Sequence, residues 1–253
     1  MNGYEKTALL ERADLLHPYF QPIVREAVKR CYERGLYVFI MQGRRSAELQ
    51  ACLYAQGRLA AGSSFTYSGL LVTTRVEGDV VVARCGKEST RVAKSRWSRR
   101  VTNVLSSWHI EGLAVDLGFR SGPDAKDALN LDLDKRKAWG EIERVYAAIA
   151  GVWLEVSPDS RWGNDWDGDG IPVKLDPDEK LVDMPHFEWH PGRTLAQVKK
   201  GDFPPFPRQC PRCDNFRAAF VEQKDPRGGW IVNVCSDCAG RDRSVDPKCV
   251  GLK

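Results

Sequence analysis

The chain has 253 residues, of which 42% are hydrophobic and 28% charged, and its net charge is only +4. This composition excludes a wholly disordered chain, and the longest apolar runs, LYVFIM and AAIAGVWL, are far shorter than a bilayer span. The length accommodates one domain of about 200 residues with a small appendage, or two modest domains.

The first half of the chain alternates between helical and strand patterns. Apolar residues near helical spacing predict helical structure over residues 8–33, and LYVFIMQG then predicts a short buried strand. A second helix is predicted in SAELQACLYAQGR, with Ser46 as its N-cap. Two β-rich runs on either side of Gly78-Asp79 predict a hairpin, which belongs to an insertion over about residues 61–100.

The next hundred residues continue the alternation. GLAVDLGF predicts a further strand, and DLDKRKAWGEIERVYAAIAG predicts a third helix. MPHFEWH predicts a strand with His186, Glu188 and His190 on one face, since side chains alternate along a strand. These elements together predict an α+β domain with a small antiparallel sheet and flanking helices.

Charge is distributed unevenly. Residues 75–100 contain eight basic and three acidic residues, whereas residues 159–183 contain eight acidic and three basic residues. The basic segment indicates local attraction to a polyanion. The alternative is a solvated hairpin with its flank.

A proline cluster, DFPPFPRQ, separates a cysteine-rich tail from the rest and places a domain boundary near residue 205, between domains 1–204 and 205–253. The tail has the spacing C-x2-C-x21-C-x2-C, which is typical of a zinc ribbon with a closed, structural zinc site. The four predicted ligands are Cys210, Cys213, Cys235 and Cys238. Of the remaining cysteines, Cys249 is interpreted as a spare thiol, and packing roles are predicted for Cys31, Cys52 and Cys85.

The chain has four histidines, and three of them fall in the stretches SSWHIEGLAVDLG and DMPHFEWHPG. His109, Asp116 and His186 form a set that can bind zinc in three positions and leave a fourth for water. The alternative is that each histidine is structural, which is the interpretation we give to His190.

A resemblance strengthens the zinc interpretation. SWHIEGLAVD matches the SxHxxGxAxD motif of the D-alanyl-D-alanine carboxypeptidase and L-alanyl-D-glutamate endopeptidase family of zinc peptidases, and DMPHFE matches its second motif. QGRRSAELQACLYAQGR and WGNDW are similar to two further segments of that family. The four motifs follow the family's order over roughly residues 15–195, and they imply a hedgehog/D-Ala-D-Ala peptidase-like fold.

The resemblance implies roles for individual residues. It makes His109, Asp116 and His186 the ligands of a catalytic zinc. It makes Asp183, in DMPH, the general base, and Arg45, in GRRS, the arginine that faces the substrate.

Three further residues have less settled roles. Arg44 stands where the family more usually has an aromatic residue, so the substrate-facing arginine is either Arg44 or Arg45. Ser107 matches the serine of SxH and implies a contact with the substrate or with a zinc ligand. Glu188 is a rival general base, because it shares a face with His186.

The stretch DWDGDGIPVKLD, residues 165–176, has the spacing of an EF-hand-type calcium loop. Its alternating acids are Asp165, Asp167 and Asp169, with Asp176 at the twelfth place, where glutamate is usual. Similar loops occur in some endolysins. The alternative is an acidic, solvated loop.

The predicted function is hydrolysis of the peptide stem of bacterial peptidoglycan at the L-alanyl-D-glutamate bond, as in a phage-type endolysin. The alternatives are a D-alanyl-D-alanine carboxypeptidase or dipeptidase of the same family, and a non-catalytic wall-binding or polyanion-binding module with structural zinc. The expected cofactors are catalytic zinc, structural zinc and calcium.

The expected partner is peptidoglycan, and we expect a monomer with neither membrane insertion nor nucleic-acid binding. Because no export signal precedes the domain, we expect the protein to wait in the host cytoplasm and act on the wall after release.

Overall fold

A computed structural model describes residues 8–102, 104–105, 107–123, 125, 139–169, 172–173, 175–176, 181–190 and 192–203, and the backbone of short strands between 208 and 235. The chain divides into two compact units. We call Met1–Gly43 with Leu113–Lys253 the discontinuous unit, and Arg44–Gly112 the inserted unit.

The helices are α1 (Gln21–Glu33), α2 (Ala47–Ala55), α3 (Trp139–Val156) and α4 (Leu195–Lys199). The strands before residue 120 are β1 (Tyr37–Gln42), β2 (Ser64–Tyr67), β3 (Leu70–Glu77), β4 (Val80–Cys85), β5 (Glu88–Ala93) and β6 (Ala114–Arg120). The later strands are β7 (Ser160–Trp162), β8 (His186–Trp189), β9 (Arg208–Gln209), β10 (Phe216–Arg217), β11 (Phe220–Lys224) and β12 (Ile231–Cys235). The mixture of antiparallel sheets and a few helices confirms the α+β class.

The discontinuous unit is built on a four-stranded antiparallel sheet in the order β1-β6-β8-β7. One face of this sheet packs against α3: the Trp153 ring lies 4.9 Å from that of Phe187, and Tyr146 donates a hydrogen bond of 2.8 Å to the Leu117 carbonyl. Since side chains alternate along a strand, Asp116 and His186 are directed to the opposite face. The predicted strands at β1, β6 and β8 are confirmed.

The predicted helical stretch 8–33 is partly wrong. A 3-10 helix covers Leu10–Leu15, and α1 begins only at Gln21. The interruption falls at His17, because the following residue, Pro18, disfavours helical backbone at the position before it.

The inserted unit contains a second four-stranded antiparallel sheet, in the order β2-β3-β4-β5. The predicted hairpin is its β3–β4 pair, turning at Gly78-Asp79, whereas β2 and β5 are additions that the sequence patterns did not indicate. Helix α2 contributes Ala51 and Cys52 to the core of this unit, against Val72, Ala83 and Trp97. Ser46 caps α2 as predicted, since its Oγ accepts a 3.1 Å hydrogen bond from the Leu49 amide.

Free cysteines at Cys31, Cys52 and Cys85 are buried, which confirms their packing role. In the tail, strands β9 with β10 and β11 with β12 form two short antiparallel pairs. Cys210, Cys213, Cys238 and Cys249 lie outside the described residues, and of Cys235 only the backbone, at the end of β12, is described. The zinc ribbon therefore stays a prediction.

Within the described part of the chain, no helix is long and apolar enough to cross a membrane.

Candidate metal centre

Three residues predicted to bind zinc come together. His109, Asp116 and His186 each offer one ligand atom, and these atoms lie within 4.8 Å of one another. His109 is 1% exposed and His186 is 7% exposed, so both residues are buried. The group could hold a metal ion.

Strand register brings two of these ligands together. Asp116 on β6 lies directly opposite His186 on β8, and directly opposed side chains of an antiparallel pair project on the same side. Asp116 Oδ1 lies 3.3 Å from His186 Nδ1. Two ligands of a tetrahedral zinc with bonds of about 2.0–2.1 Å are about 3.3 Å apart, so this separation fits a shared ion.

The second ring nitrogen of His186 also faces a carboxylate. Glu188, two residues further along β8 and 4% exposed, places Oε2 at 3.0 Å from His186 Nε2. The two nitrogens of an imidazole point in divergent directions, so Glu188 lies on the side of the ring away from Asp116. Metal-binding histidines typically donate their other N–H to a carboxylate in this way, which fixes the tautomer and the ring orientation.

The buried carboxylates change the protonation of His186. Burial by itself lowers the pKa of this imidazole, but hydrogen bonds and charge interactions with Asp116 and Glu188 outweigh burial and raise the pKa to about 10. A divalent cation in place of the proton would add one positive charge beside the two carboxylates, and a buried acidic group favours such a cation.

The segment that carries His109 is held by its own hydrogen bonds. Ser107 Oγ accepts from the His109 amide at 3.3 Å, and the His109 carbonyl accepts from the Gly112 amide at 3.1 Å. The same carbonyl accepts from the Arg45 amide at 3.0 Å, so the GRRS segment is attached to the SxH segment. Ser107 therefore positions the backbone of a candidate ligand.

The structure distinguishes the two arginines of GRRS. Arg44 is exposed, whereas Arg45 is partly buried and donates from Nη1 to Gln50 Oε1 at 3.3 Å. Gln50 is fully buried and is itself fixed by a 2.8 Å hydrogen bond to the Val104 carbonyl. Gln50 orients the Arg45 guanidinium, a role that the sequence analysis missed.

Asp183 occupies the turn that leads into β8. Its amide donates to the Gly163 carbonyl at 2.6 Å, and its carbonyl accepts from the His186 amide at 2.9 Å. A Cβ atom at Gly163 would overlap the Asp183 carbonyl oxygen and lie 3.1 Å from the Asp183 Cβ. Only glycine fits there, so Gly163, the glycine of WGND, positions the predicted general base. The glycine in WGND was the signal in the sequence that could have identified this contact.

Three acids of the predicted calcium loop are close together. Asp165, Asp167 and Asp169 offer carboxylate oxygens within 4.8 Å of one another, and Asp165 is buried while the other two are exposed. Asp165 Oδ1 accepts from the Gly168 amide at 3.0 Å. Asp176, 9% exposed, is not a member of this group.

His190 follows β8 and is not part of the metal group. Its amide donates to the Asp159 carbonyl at 2.8 Å, and partial burial, together with the nearby Arg161, lowers the pKa of its imidazole.

No protein-family model matches the chain, and a search of curated proteins finds no match.

Proposed function

We propose that this protein is a zinc peptidase with a hedgehog/D-Ala-D-Ala peptidase-like fold that hydrolyses the L-alanyl-D-glutamate bond in the peptide stem of bacterial peptidoglycan. The observation that carries the proposal is the convergence of His109, Asp116 and His186, with Glu188 behind the last ligand. The three ligands occupy the corresponding positions in the two motifs that resemble the family.

The donor set suits zinc. Two imidazoles and one carboxylate are a ligand combination of catalytic zinc sites, which keep a fourth position open. When bound, the ion would polarise the scissile carbonyl and lower the pKa of a coordinated water.

Asp183 is proposed as the general base that takes a proton from the attacking water and delivers it to the leaving amine. Its backbone is fixed by Gly163 and His186, three residues before the second histidine ligand. Glu188 is proposed to orient His186 rather than to move protons, because its carboxylate is engaged at Nε2, on the side of the ring away from Asp116.

Arg45 is proposed to contact the substrate, as a donor to the developing oxyanion or to a stem carboxylate. One well-placed donor of this kind contributes on the order of 3 kcal/mol to the lowering of the barrier. Its hydrogen bond to Gln50 supports the choice of Arg45, since a held guanidinium loses less conformational entropy on binding. Arg44 is exposed, and we propose that it contacts the substrate only at the periphery of the site.

Two further ions belong to the proposal. A structural zinc held by Cys210, Cys213, Cys235 and Cys238 would give two zinc ions per chain. Calcium would bind at Asp165, Asp167 and Asp169, where the spacing of an EF-hand-type loop coincides with three converging carboxylates.

The test is mass analysis of the fragments released from purified peptidoglycan. Cleavage at the proposed bond leaves a new amino terminus on D-glutamate. Release of free D-alanine would instead identify the carboxypeptidase activity, and hydrolysis of free D-alanyl-D-alanine would identify the dipeptidase activity. Binding without release would identify a non-catalytic module.

Two isosteric variants separate the acidic residues. Asp183→Asn should keep both zinc ions and lose turnover by about 10²–10⁴-fold, because the ligands remain and the base does not. Glu188→Gln should bind zinc about 10–100-fold more weakly and recover turnover when zinc is saturating. The reverse pattern would make Glu188 the base.

A further inference from the structure

The inserted unit concentrates the positive charge of the protein. Between Arg44 and Gly112 the chain has eleven Lys and Arg against five Asp and Glu, a net charge of +6, whereas the whole chain has a net charge of +4. The rest of the molecule has a net charge of −2, although residues 205–253 within it contain nine Lys and Arg against six Asp and Glu. The inserted unit is therefore the stronger of two positively charged regions that can attract a polyanion.

Four of these cations lie within seven residues after β5, in a stretch that we call the basic segment, Lys94–Arg100. Its exposed cations are Lys94, Arg96, Arg99 and Arg100. The backbone forms two successive turns, in which the Trp97 amide donates to the Lys94 carbonyl at 3.3 Å and the Arg99 amide donates to the Arg96 carbonyl at 3.1 Å.

One residue of the basic segment points inward and anchors it. Trp97 is 6% exposed, belongs to the core of the inserted unit, and donates from its indole to the Leu59 carbonyl at 2.7 Å. The cations on either side of Trp97 therefore extend from a fixed backbone rather than from a solvated tail.

The turn after α2 holds the basic segment from the other side. The Gly57 amide donates to the Trp97 carbonyl at 2.9 Å, and Gln56 Nε2 donates to the Arg96 carbonyl at 3.2 Å. Gly57 has a positive φ of 75°, and a Cβ there would lie 2.7 Å from the Arg100 amide nitrogen, so the two segments are in close contact.

Arg58 adds a fifth cation next to the basic segment. Its guanidinium lies over the Tyr54 ring, 4.0 Å from the centroid, and donates to the Thr102 carbonyl at 2.8 Å. Asp79, whose carbonyl accepts from the Lys94 amide, is an acid that adjoins the segment, so positive charge still predominates. A charged surface that is already ordered binds with a smaller loss of conformational entropy.

We propose that the basic segment, together with Arg58, docks the enzyme onto a phosphodiester-linked anionic polymer of the cell wall. This inference rests on the proposed function, since a hydrolase that acts on a Gram-positive wall meets such polymers beside its substrate. The guanidinium fork matches phosphate oxygens in a bidentate geometry, and arginine is weakly hydrated enough to exchange water for phosphate readily.

The surroundings of the basic segment favour a flexible polymer over nucleic acid or a membrane. Trp97 is buried and Tyr54 is covered by Arg58. Phe65, 56% exposed, adjoins this surface through Tyr67, but one exposed ring is fewer than the successive aromatic platforms on which single strands stack. The 3-10 helix Lys94–Arg96 is too short to enter a major groove as a recognition helix. Interfacial insertion typically uses Trp, Phe or Leu. The exposed Phe65 and Leu71 of this unit lie on β2 and β3, whereas the exposed apolar residue that directly follows the basic segment is the smaller Val101.

The test measures binding of the full-length protein to purified Gram-positive sacculi, before and after hydrofluoric acid removes their phosphodiester-linked polymers. Arg96→Glu/Arg99→Glu should weaken binding to untreated sacculi by roughly a factor of ten or more at low salt. Lys94→Glu/Arg100→Glu should act in the same direction. The matched control, Lys199→Glu/Lys200→Glu, changes the net charge by the same amount at two exposed lysines of the discontinuous unit and should bind like the parent.

Several results would overturn the proposal. Equal losses in the control and segment variants would show a net-charge effect, and unchanged binding after acid treatment would exclude the phosphodiester polymer. Equally tight, segment-dependent binding to duplex DNA or to phosphatidylglycerol vesicles would reassign the surface to that partner. Thermal unfolding of each variant identifies one that has lost its fold, and that variant is replaced by the corresponding glutamine variant.

A small soluble stem peptide separates this proposal from the proposed function. Turnover of that peptide should be the same in the parent and in all three double variants, because the peptide carries no polymer. If the parent fails to cleave the peptide yet binds sacculi through the basic segment, the proposed function fails and the docking surface stands.

Discussion

The two four-stranded sheets place their charged residues differently. In the sheet of the discontinuous unit, Asp116, His186 and Glu188 face one another with little exposure. In the sheet of the inserted unit, the exposed Arg75 and Arg91 both form ion pairs with Glu77. Exposed ion pairs are screened by water and contribute little, whereas a buried charge costs several kcal/mol unless it is compensated. The buried group is therefore stronger evidence for a ligand.

Removal of a buried ligand should have the largest effect. His186→Ala or Asp116→Ala should remove one of two zinc ions and lower turnover of a stem peptide by about 10³-fold or more, because the open zinc site is lost. Elemental analysis and peptide kinetics measure the two effects.

His190→Ala is the matched control, since His190 lies just after β8 but outside the metal group. It should keep both zinc ions and nearly all activity. If His190→Ala lost zinc, or if His186→Ala kept it, the proposed ligand set would be wrong.

The next largest effect is the pH dependence of zinc binding, because the imidazole of His186 holds a proton in the metal-free protein. The pKa of His186 is raised from 6.5 to about 10 in the metal-free protein, so zinc must displace that proton throughout the neutral range. Apparent zinc affinity at this site should fall about tenfold for each unit that pH decreases below 10. Competition titrations with a chelator between pH 6 and 8 measure the slope.

The stability of the metal-free protein should change in the opposite direction. A raised pKa in the folded state contributes stability that is fully present below pH 6.5 and lost as the pH rises through about 10. Chelator-treated protein should therefore become less stable over this window, and His186→Asn should remove that contribution. A parent protein whose stability rises with pH through the window would contradict the assigned network.

Substitution of two glycines of the discontinuous unit by alanine should change stability in opposite directions. Gly163→Ala should lower the free energy of unfolding by about 1–3 kcal/mol and reduce turnover, since the added methyl overlaps the Asp183 turn. Gly151→Ala, in the middle of α3 with no atom within 4 Å of its added Cβ, should raise the free energy of unfolding by about 0.5–1 kcal/mol. Chemical denaturation and peptide kinetics measure both variants. A Gly163→Ala protein with parental kcat would remove the positioning role given to Gly163.

Local patterns predicted the elements that are governed by local energetics. Strand β6 was predicted from the apolar residues of its own sequence, and the cap of α2 was predicted because Ser46 accepts a hydrogen bond from an amide only three residues away. The edge strands β2 and β5, in contrast, contain no buried residue. Strand β2 is only four residues long and β5 has only Val92 and Ala93 as apolar residues, so neither sequence has an extended strand pattern. They depend on pairing with β3 and β4.

The same distinction between local sequence patterns and long-range contacts applies to the candidate metal centre. The motifs predicted His109, Asp116 and His186, and the structure brings them together. The orienting contact of Glu188 on His186 Nε2 and the close approach of Gly163 to Asp183 depend on register and on turn geometry, which the sequence does not specify residue by residue. For this reason the sequence analysis left Glu188 as a rival base.

The smallest expected effect comes from the predicted calcium loop, which combines one buried acid, Asp165, with two exposed acids, Asp167 and Asp169. An ion that binds only the folded state stabilises it by mass action, and calcium at a concentration equal to its dissociation constant adds about 0.4 kcal/mol. A midpoint of thermal unfolding that rises with millimolar calcium, but not with equal magnesium, would measure this effect. Asp167→Asn/Asp169→Asn should abolish the response and leave the zinc content unchanged, because those carboxylates belong to a separate group. Exposed acidic groups are common without a bound ion. If calcium does not raise the unfolding midpoint of the parent protein, this loop is a solvated acidic loop, comparable with the exposed charges of the inserted sheet and not with the buried metal centre.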